Sequence, residues 1–244
     1  IVEELGAKRQ LLDHLIPQIA AHTIVSSNTS GLSIAALAEG RDLDVRRRFL
    51  GVHFFNPPRY MKLVEMIPGP DTDGELVAFM SDFLCHKLGK GVVPCRDTPN
   101  FIANRLGVFA IVDVLHRMAE CGLSVEEVDA VTGGLLGRPR SATLRLCDLI
   151  GLDTLLHVAA TSFEGLGAHA GIERFAPPDA VRAMVDDGRL GAKTGAGFYR
   201  KSSDGLEAVD LQTLTYRPLQ AADVDLPTRG SLADRLAALW DSDD

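Results

Sequence analysis

The chain has 244 residues, 46% of them hydrophobic and 24% charged, with a formal net charge of −8. These values are ordinary for a soluble globular protein of one or two domains, and the charge argues against a general nucleic-acid or anionic-membrane surface. No run reaches the roughly 18 apolar residues of a membrane span and no signal peptide is visible. Cys85, Cys95, Cys121 and Cys147 include no C-x-x-C pair, so neither a zinc site nor a disulfide framework is indicated and a reducing, cytoplasmic setting is expected.

In chain order, Glu3 to Ala21 reads as an amphipathic helix with Leu5, Leu11, Leu12, Leu15, Ile16 and Ile19 on one face and Pro17 as a kink. The start, Ile1-Val2-Glu3-Glu4, has no G-x-G-x-x-G ahead of this helix, so position 1 is expected to fall inside a domain. Thr23 to Ser26 is a short strand ending in the polar run Ser27-Asn28-Thr29-Ser30, and Leu32 to Glu39 is a helix closed by Gly40. A strand end, small polar residues and a helix start form the kind of crevice in which open α/β sheets bind ligands; a plain capping cluster has the same composition. Arg46-Arg47-Arg48 reads as a solvated charge run.

Phe49 to Phe55 is an apolar run that contains His53 and is stopped by Asn56-Pro57-Pro58. A second apolar run follows over residues 62 to 68. The connection is too short for a parallel crossover, which predicts antiparallel neighbours. Glu65 is the one acid in that second run, and a carboxylate in an apolar strand is costly unless partnered, so His53 is its expected partner. A core histidine beside an edge-strand glutamate is the structural alternative. Residues 74 to 88 read as a helix and Gly91 to Cys95 as a last strand, so the sheet-containing part is expected to end near Asp97.

Thr98-Pro99 has the form of an N-cap and first helical position, followed by a long helix to Cys121-Gly122 with Asn104 in its second turn. Phe101, Leu106, Val108, Phe109, Ile111 and Val112 exceed what one buried face needs, which predicts a subunit or interdomain contact. Ser124 and Glu127 form a capping box, Arg138-Pro139-Arg140-Ser141 is a turn, and helical patterns continue to about Ala160 and again over residues 179 to 187. The expected organisation is residues 1–97 as a partial α/β domain, 98–200 as an all-helical domain, and 201–244 as a tail or linker with a small strand-like stretch at Leu206 to Val209 and a polar end, Asp241-Ser242-Asp243-Asp244. In Lys193-Thr194 the residue before the lysine is Ala192 rather than the glycine that a phosphate-binding loop requires.

Four ordered stretches resemble the 3-hydroxyacyl-CoA dehydrogenase family: Ser27-Asn28-Thr29-Ser30; His53-Phe54-Phe55-Asn56-Pro57-Pro58 with Met61-Lys62-Leu63-Val64-Glu65; Asp97 to Arg105; and Gly191-Ala192-Lys193-Thr194-Gly195-Ala196-Gly197-Phe198-Tyr199. The wording is most similar to the dehydrogenase part of bacterial multifunctional fatty-acid β-oxidation proteins. The resemblance implies the C-terminal part of a Rossmann-like NAD-binding domain followed by a helical domain like the C-terminal domain of 6-phosphogluconate dehydrogenase. It implies NAD-dependent oxidation of L-3-hydroxyacyl-CoA to 3-oxoacyl-CoA, with an acyl-CoA substrate, and a homodimer or contacts with a crotonase-like domain. A non-catalytic dimerisation or scaffold module of the same fold is the other reading.

Oxidising a secondary alcohol needs a base for the hydroxyl proton, and an imidazole with an ordinary pKa of about 6.5 suits that task. His53 is thus the expected base and Glu65 its orienting acid. The resemblance adds Ser30 and Asn104 as hydrogen-bond donors to substrate oxygens, and Glu3, Lys8, Ser30, Asn56 and Lys193 as residues near the nicotinamide and its ribose. Because the glycine-rich pyrophosphate turn does not occur in these 244 residues, the isolated chain is expected not to bind NAD measurably. One departure from the family wording is Asn100, where short-chain members usually have glycine before the phenylalanine; it bears on acyl-chain specificity rather than on the reaction.

Overall fold

Residues Phe49–Phe54 alternate between two apolar layers, and the first half of the fold follows from that alternation. The computed structural model describes residues 1–139, 141–167, 172–224 and 230–240. Two compact units are present, one of Ile1–Leu106 with Glu164–Leu166 and one of Gly107–Phe163 with the described residues from Gly167 onward.

The first unit opens with α1, Leu5–Leu15, and a 3-10 turn, Ile16–Gln18. The helix is shorter than its apolar periodicity predicts, since Pro17 has no N–H with which to continue it. Leu12 is buried, with Leu5, Ile16 and Ile19 packed around it, whereas Leu11 and Leu15 are exposed. At 3.6 residues per turn those two lie roughly 60° to 100° around the helix from Leu12, off the stripe that meets the sheet.

Then come β1 (Val25–Ser27), α2 (Ile34–Ala38), α3 (Leu43–Arg47), β2 (Phe49–Phe54), β3 (Leu63–Pro68), α4 (Gly74–Asp82), which runs into a π-helical turn at Phe83–Lys87, and β4 (Gly91–Pro94). The strands form one sheet in sequence order, β1 and β2 parallel, β2 and β3 antiparallel as the short return predicts, β3 and β4 parallel. Phe49 and Ile67 face a layer made with Leu12, Ile34, Leu37 and Phe101, while Leu50, Val52, Val64 and Met66 face another with Leu84. Two-sided burial explains why these strands read as continuous apolar runs rather than as alternating ones. Gly51 is required on the first face, because a Cβ there would stand 2.8 Å from Ile34 Cδ1. Of the expected charge run, only Arg47 is exposed: Arg46 pairs with Asp71 and Arg48 donates to the Thr23 carbonyl.

The long helix, α5, spans Ala103–Cys121 and does not begin at Thr98-Pro99. Asn100 and Phe101 have φ of 57° and 49°, outside the helical region, so Asn104 is in the first turn rather than the second. Of the apolar positions expected to be in surplus, Phe101, Val108, Ile111 and Val112 are buried within the chain and Leu106 and Phe109 are exposed. The last strand of the sheet ends at Pro94, and the first compact unit also takes in the start of α5, to Leu106.

The second unit continues α5 and adds α6 (Val125–Thr132), which carries the Ser124–Glu127 capping box, α7 (Leu144–Ile150), α8 (Leu152–Leu166) and α9 (Asp179–Asp186). Where a tail or linker is expected from residue 201, the chain instead forms a three-stranded antiparallel sheet, β5 (Tyr199–Ser202), β6 (Gly205–Val209) and β7 (Tyr216–Pro218), and then α10 (Leu232–Trp240). Two carboxylates pin it: Asp148 accepts the Phe198 and Tyr199 N–H groups at 2.8 and 2.9 Å, and Glu126 takes Arg217 in a two-bond pair at 2.7 and 3.0 Å. The strand-like stretch at Leu206 to Val209 is β6, whereas β5 and β7, of four and three residues, leave too short a pattern to be read in sequence. Arg140 of the expected turn and Asp241-Ser242-Asp243-Asp244 lie outside the described residues. Among the described residues no single helix is long and apolar enough to cross a membrane.

Candidate active site

The antiparallel register places His53 directly opposite Glu65. Both are buried, and His53 Nδ1 lies 2.8 Å from Glu65 Oε2. An ionised carboxylate can only accept, so the proton of the neutral imidazole is on Nδ1 and the Nε2 lone pair is free. Nε2 is 3.1 Å from Ser30 Oγ, and the serine hydroxyl donates to it. The result is a directed chain, Ser30 to His53 to Glu65, across three neighbouring strand ends.

Glu65 does more than orient the imidazole. Its Oε1 accepts the N–H groups of Ile102 at 3.0 Å and Ala103 at 2.8 Å, and the Cys95 thiol at 3.7 Å. Those two N–H groups lie at the start of α5, where helical donors have no partner of their own. The acid thus caps the helix that carries Asn104. Burial pushes the Glu65 carboxyl up, but the hydrogen bonds from His53 and from the Ala103 and Ile102 N–H groups outweigh it and hold the group below the usual carboxylate range. The same charge acts on Cys95 in the other direction, adding to burial and pushing its thiol up to about 12.

A second cluster adjoins the first. Glu3 Oε1 accepts the Ser30 N–H at 2.8 Å and the Thr29 hydroxyl, and Glu3 Oε2 pairs with Lys8 at 2.6 Å. Partial burial raises the Glu3 pKa, and the bonds from Lys8, Thr29 and Ser30 more than reverse that. Asn104 Nδ2 donates to the Ser30 carbonyl at 3.3 Å. Ser30, His53, Glu65, Asn104, Glu3 and Lys8 therefore converge on the end of β1 and β2. Asn56 lies three residues past His53 and is exposed; among the described residues it joins none of these bonds. Lys193 belongs to the second unit, where it pairs with both oxygens of Asp153 at 2.5 and 2.6 Å.

Several contributors have no single-residue signal in the sequence. Thr29 is fully buried and its oxygen also accepts the Leu32 N–H at 3.0 Å, closing the polar turn. Asn28 Oδ1 accepts the Phe54 N–H at 2.8 Å and ties the ends of β1 and β2 together. Asp97 receives the Ser33 hydroxyl and the Ile34 and Ala35 N–H groups at 2.8 to 2.9 Å, capping α2 from 62 to 64 residues away in sequence. The Phe101 ring centroid is 5.9 Å from that of His53 and the Phe55 centroid 4.5 Å, both rings tilted against the imidazole at 57°.

A half-sheet of mixed direction with a polar turn at a strand end, followed by a helical unit, defines the class as a Rossmann-type dehydrogenase fold. Residues 1–98 match the family model described as 3-hydroxyacyl-CoA dehydrogenase, NAD binding domain, and residues 101–201 match that of the C-terminal domain. A probable 3-hydroxyacyl-CoA dehydrogenase of Bacillus subtilis is 44% identical over 216 residues, covering 88% of this chain and 27% of the relative, and one of Deinococcus radiodurans is 46% identical over 204 residues, covering 84% and 58%. The crystal structure of M. tuberculosis FadB2 superposes with a TM-score of 0.74 at 35% identity, covering 83% of this chain and 69% of that one. The chain belongs to the 3-hydroxyacyl-CoA dehydrogenase family. It spans only about a quarter of the first of these curated relatives and about three-fifths of the second.

Proposed function

We propose that the whole protein oxidises the 3-hydroxyl of an L-3-hydroxyacyl-CoA to the 3-oxo compound, as a step of fatty-acid β-oxidation. The observation that carries this reading is the Ser30–His53–Glu65 chain, in which Glu65 holds the proton on Nδ1 and leaves Nε2 to accept from a hydroxyl, here that of Ser30. A substrate hydroxyl that takes the place of Ser30 Oγ at Nε2 delivers its proton there as the C3–O bond becomes a carbonyl. Glu65 stabilises the imidazolium that forms, and neutral donors such as Ser30 and the Asn104 carboxamide steady the oxygen without neutralising the base. NAD, when bound, supplies the acceptor for the hydride that leaves C3. The half-exposed Glu3 carboxylate and the Lys8 ammonium beside Ser30 fit ribose hydroxyls and a carboxamide, and Asn56 and Lys193 join them by family pattern. The exposed Leu149, Ile150 and Phe163 support a homodimer or a crotonase-like domain as partner of the helical unit.

The test is NADH formation from NAD and L-3-hydroxyacyl-CoA thioesters of graded chain length by the whole protein. Activity is expected, and His53→Gln should lower kcat by roughly 10² to 10⁴. No turnover at any chain length, or an unchanged kcat in His53→Gln, overturns the reading.

A further inference from the structure

Five consecutive residues, Asn100 to Asn104, all bear on the candidate site or on the turn that carries Ser30. Phe101 lies tilted against the His53 ring, Ile102 and Ala103 donate to Glu65, and Asn104 donates to the Ser30 carbonyl. Asn100, the residue that departs from the usual family glycine, meets the turn itself. It is buried, its φ of 57° is left-handed, and its carboxamide oxygen lies against Gly31 so closely that a Cβ on Gly31 would be 2.7 Å from it. Gly31 follows directly on Ser30, whose hydroxyl is 3.1 Å from His53 Nε2. We propose that Asn100 is a positioning residue: its carboxamide bears on the Ser30–Gly31 turn and sets the Ser30 hydroxyl in place against His53 Nε2.

Three observations carry this. First, asparagine tolerates the left-handed region better than other side-chain-bearing residues, and glycine tolerates it freely, so the backbone at position 100 admits either one. The difference between them is the carboxamide, and that is the group in contact with the turn. Second, Ser30 is held on its other sides by Glu3 at its N–H and Asn104 at its carbonyl, so the Gly31 flank is the one on which packing decides how far the turn can shift. Third, the one close contact that a Cβ on Gly31 would make is with the Asn100 carboxamide oxygen, at 2.7 Å, so a side chain at position 31 requires that carboxamide to move and the two positions are coupled. Misplacement by about 1 Å at a hydrogen-bonded catalytic group is enough to cost up to 10²-fold in rate.

This inference rests on the proposed reading for its kinetic arm only; its spectroscopic arm does not. The experiment is made on the whole protein with ¹⁵N-labelled histidine, comparing wild type, Asn100→Gly, Gly31→Ala and the double variant. In Asn100→Gly the His53 Nε2 resonance should shift as the serine hydroxyl moves off it, while Nδ1, held by Glu65, keeps its own. With 3-hydroxyacyl-CoA as substrate, kcat expressed per folded molecule, with the folded fraction read from the same spectra, should fall roughly 10- to 100-fold with KM changed less than about threefold. Gly31→Ala should be impaired more strongly, and Asn100→Gly in the same chain should restore it at least tenfold, since the space for the methyl is then open. If Gly31→Ala does not fold, recovery of the folded state in the double variant reads the same pairing. A wild type without dehydrogenase activity, combined with a shifted Nε2 in Asn100→Gly, leaves the positioning role standing and removes the proposed reaction. An active wild type with Nε2 and kcat unchanged in Asn100→Gly overturns the positioning role and leaves the reaction untouched.

Discussion

Glu65 in the first unit and Asp148 in the second are both buried carboxylates that accept two backbone N–H groups, yet they titrate in opposite directions. Glu65 is held below the usual carboxylate range, whereas Asp148 is pushed up to about 6. Burial acts upward on both, and hydrogen bonds act downward on both. The neighbours differ. Glu65 faces the His53 imidazole, a group that can take a positive charge, while Asp148 has the Asp129 carboxylate near it, whose charge acts upward as well. The same capping geometry thus holds a carboxylate beside the His53 imidazole in one place and anchors a strand in the other, and burial outweighs the hydrogen bonds only at Asp148.

The largest expected effect tests whether Glu65 is the more deeply coupled of the two. Glu65→Ala leaves His53 Nδ1 and the Ile102 and Ala103 N–H groups without their charged acceptor, and three buried donors stranded at about 1 to 3 kcal/mol each give a loss on the order of 5 kcal/mol. Asp148→Ala frees two N–H groups but also removes a strained charge, so about 2 kcal/mol is expected. Urea titrations of both variants compare them, and equal losses would break the contrast.

The pH dependence sharpens it. Asp148 has a folded pKa near 6, above the ordinary value of about 3.9, so its contribution to stability is fully present below pH 4 and is lost as pH rises through 6. That shift corresponds to on the order of 3 kcal/mol. Glu65 and Glu3 have lowered values, so their contributions are present above the ordinary glutamate pKa and are lost as pH falls through their folded ones. Stability measured from pH 7 down to pH 4 should therefore improve in wild type relative to Asp148→Asn. A difference that stays constant across that range would show that the two backbone bonds keep Asp148 ionised.

Two smaller effects bound the second unit. The Tyr199 hydroxyl donates to Asp129 at 2.8 Å, and its own pKa is raised by burial and by that charge. Tyr199→Phe should cost about 1.5 kcal/mol in a denaturant titration, the usual worth of a bond to a charged acceptor. The Lys193–Asp153 pair is exposed on both sides, and Lys193→Ala should change stability by less than about 1 kcal/mol. If Lys193 serves the cofactor, as the family pattern implies, the same variant should raise the KM for NAD well out of proportion to that change. An unaltered KM would leave the lysine as a surface ion pair.

What the sequence determined by itself was local or nearly so. The two apolar runs around His53 and Glu65, with a return too short for a crossover, dictate an antiparallel pair, and that pairing brings His53 and Glu65 together without any other part of the chain. The Ser124–Glu127 capping box and the glycine after the long helix are local in the same sense, since each is satisfied within a turn of backbone. The tertiary structure decided the start of that helix. Thr98-Pro99 has the form of an N-cap, but Asp97 is taken up by α2 and the first N–H groups of α5 are satisfied by Glu65, 37 residues earlier, so the helix begins at Ala103. The sheet at residues 199 to 218 is likewise held by Asp148 and Glu126, which no window around those strands contains. Orphan helix donors and short strand ends must find partners wherever the fold supplies them. A carboxylate can meet that need from any distance along the chain, which is why the spacing of residues marks the dyad and leaves its supports unmarked.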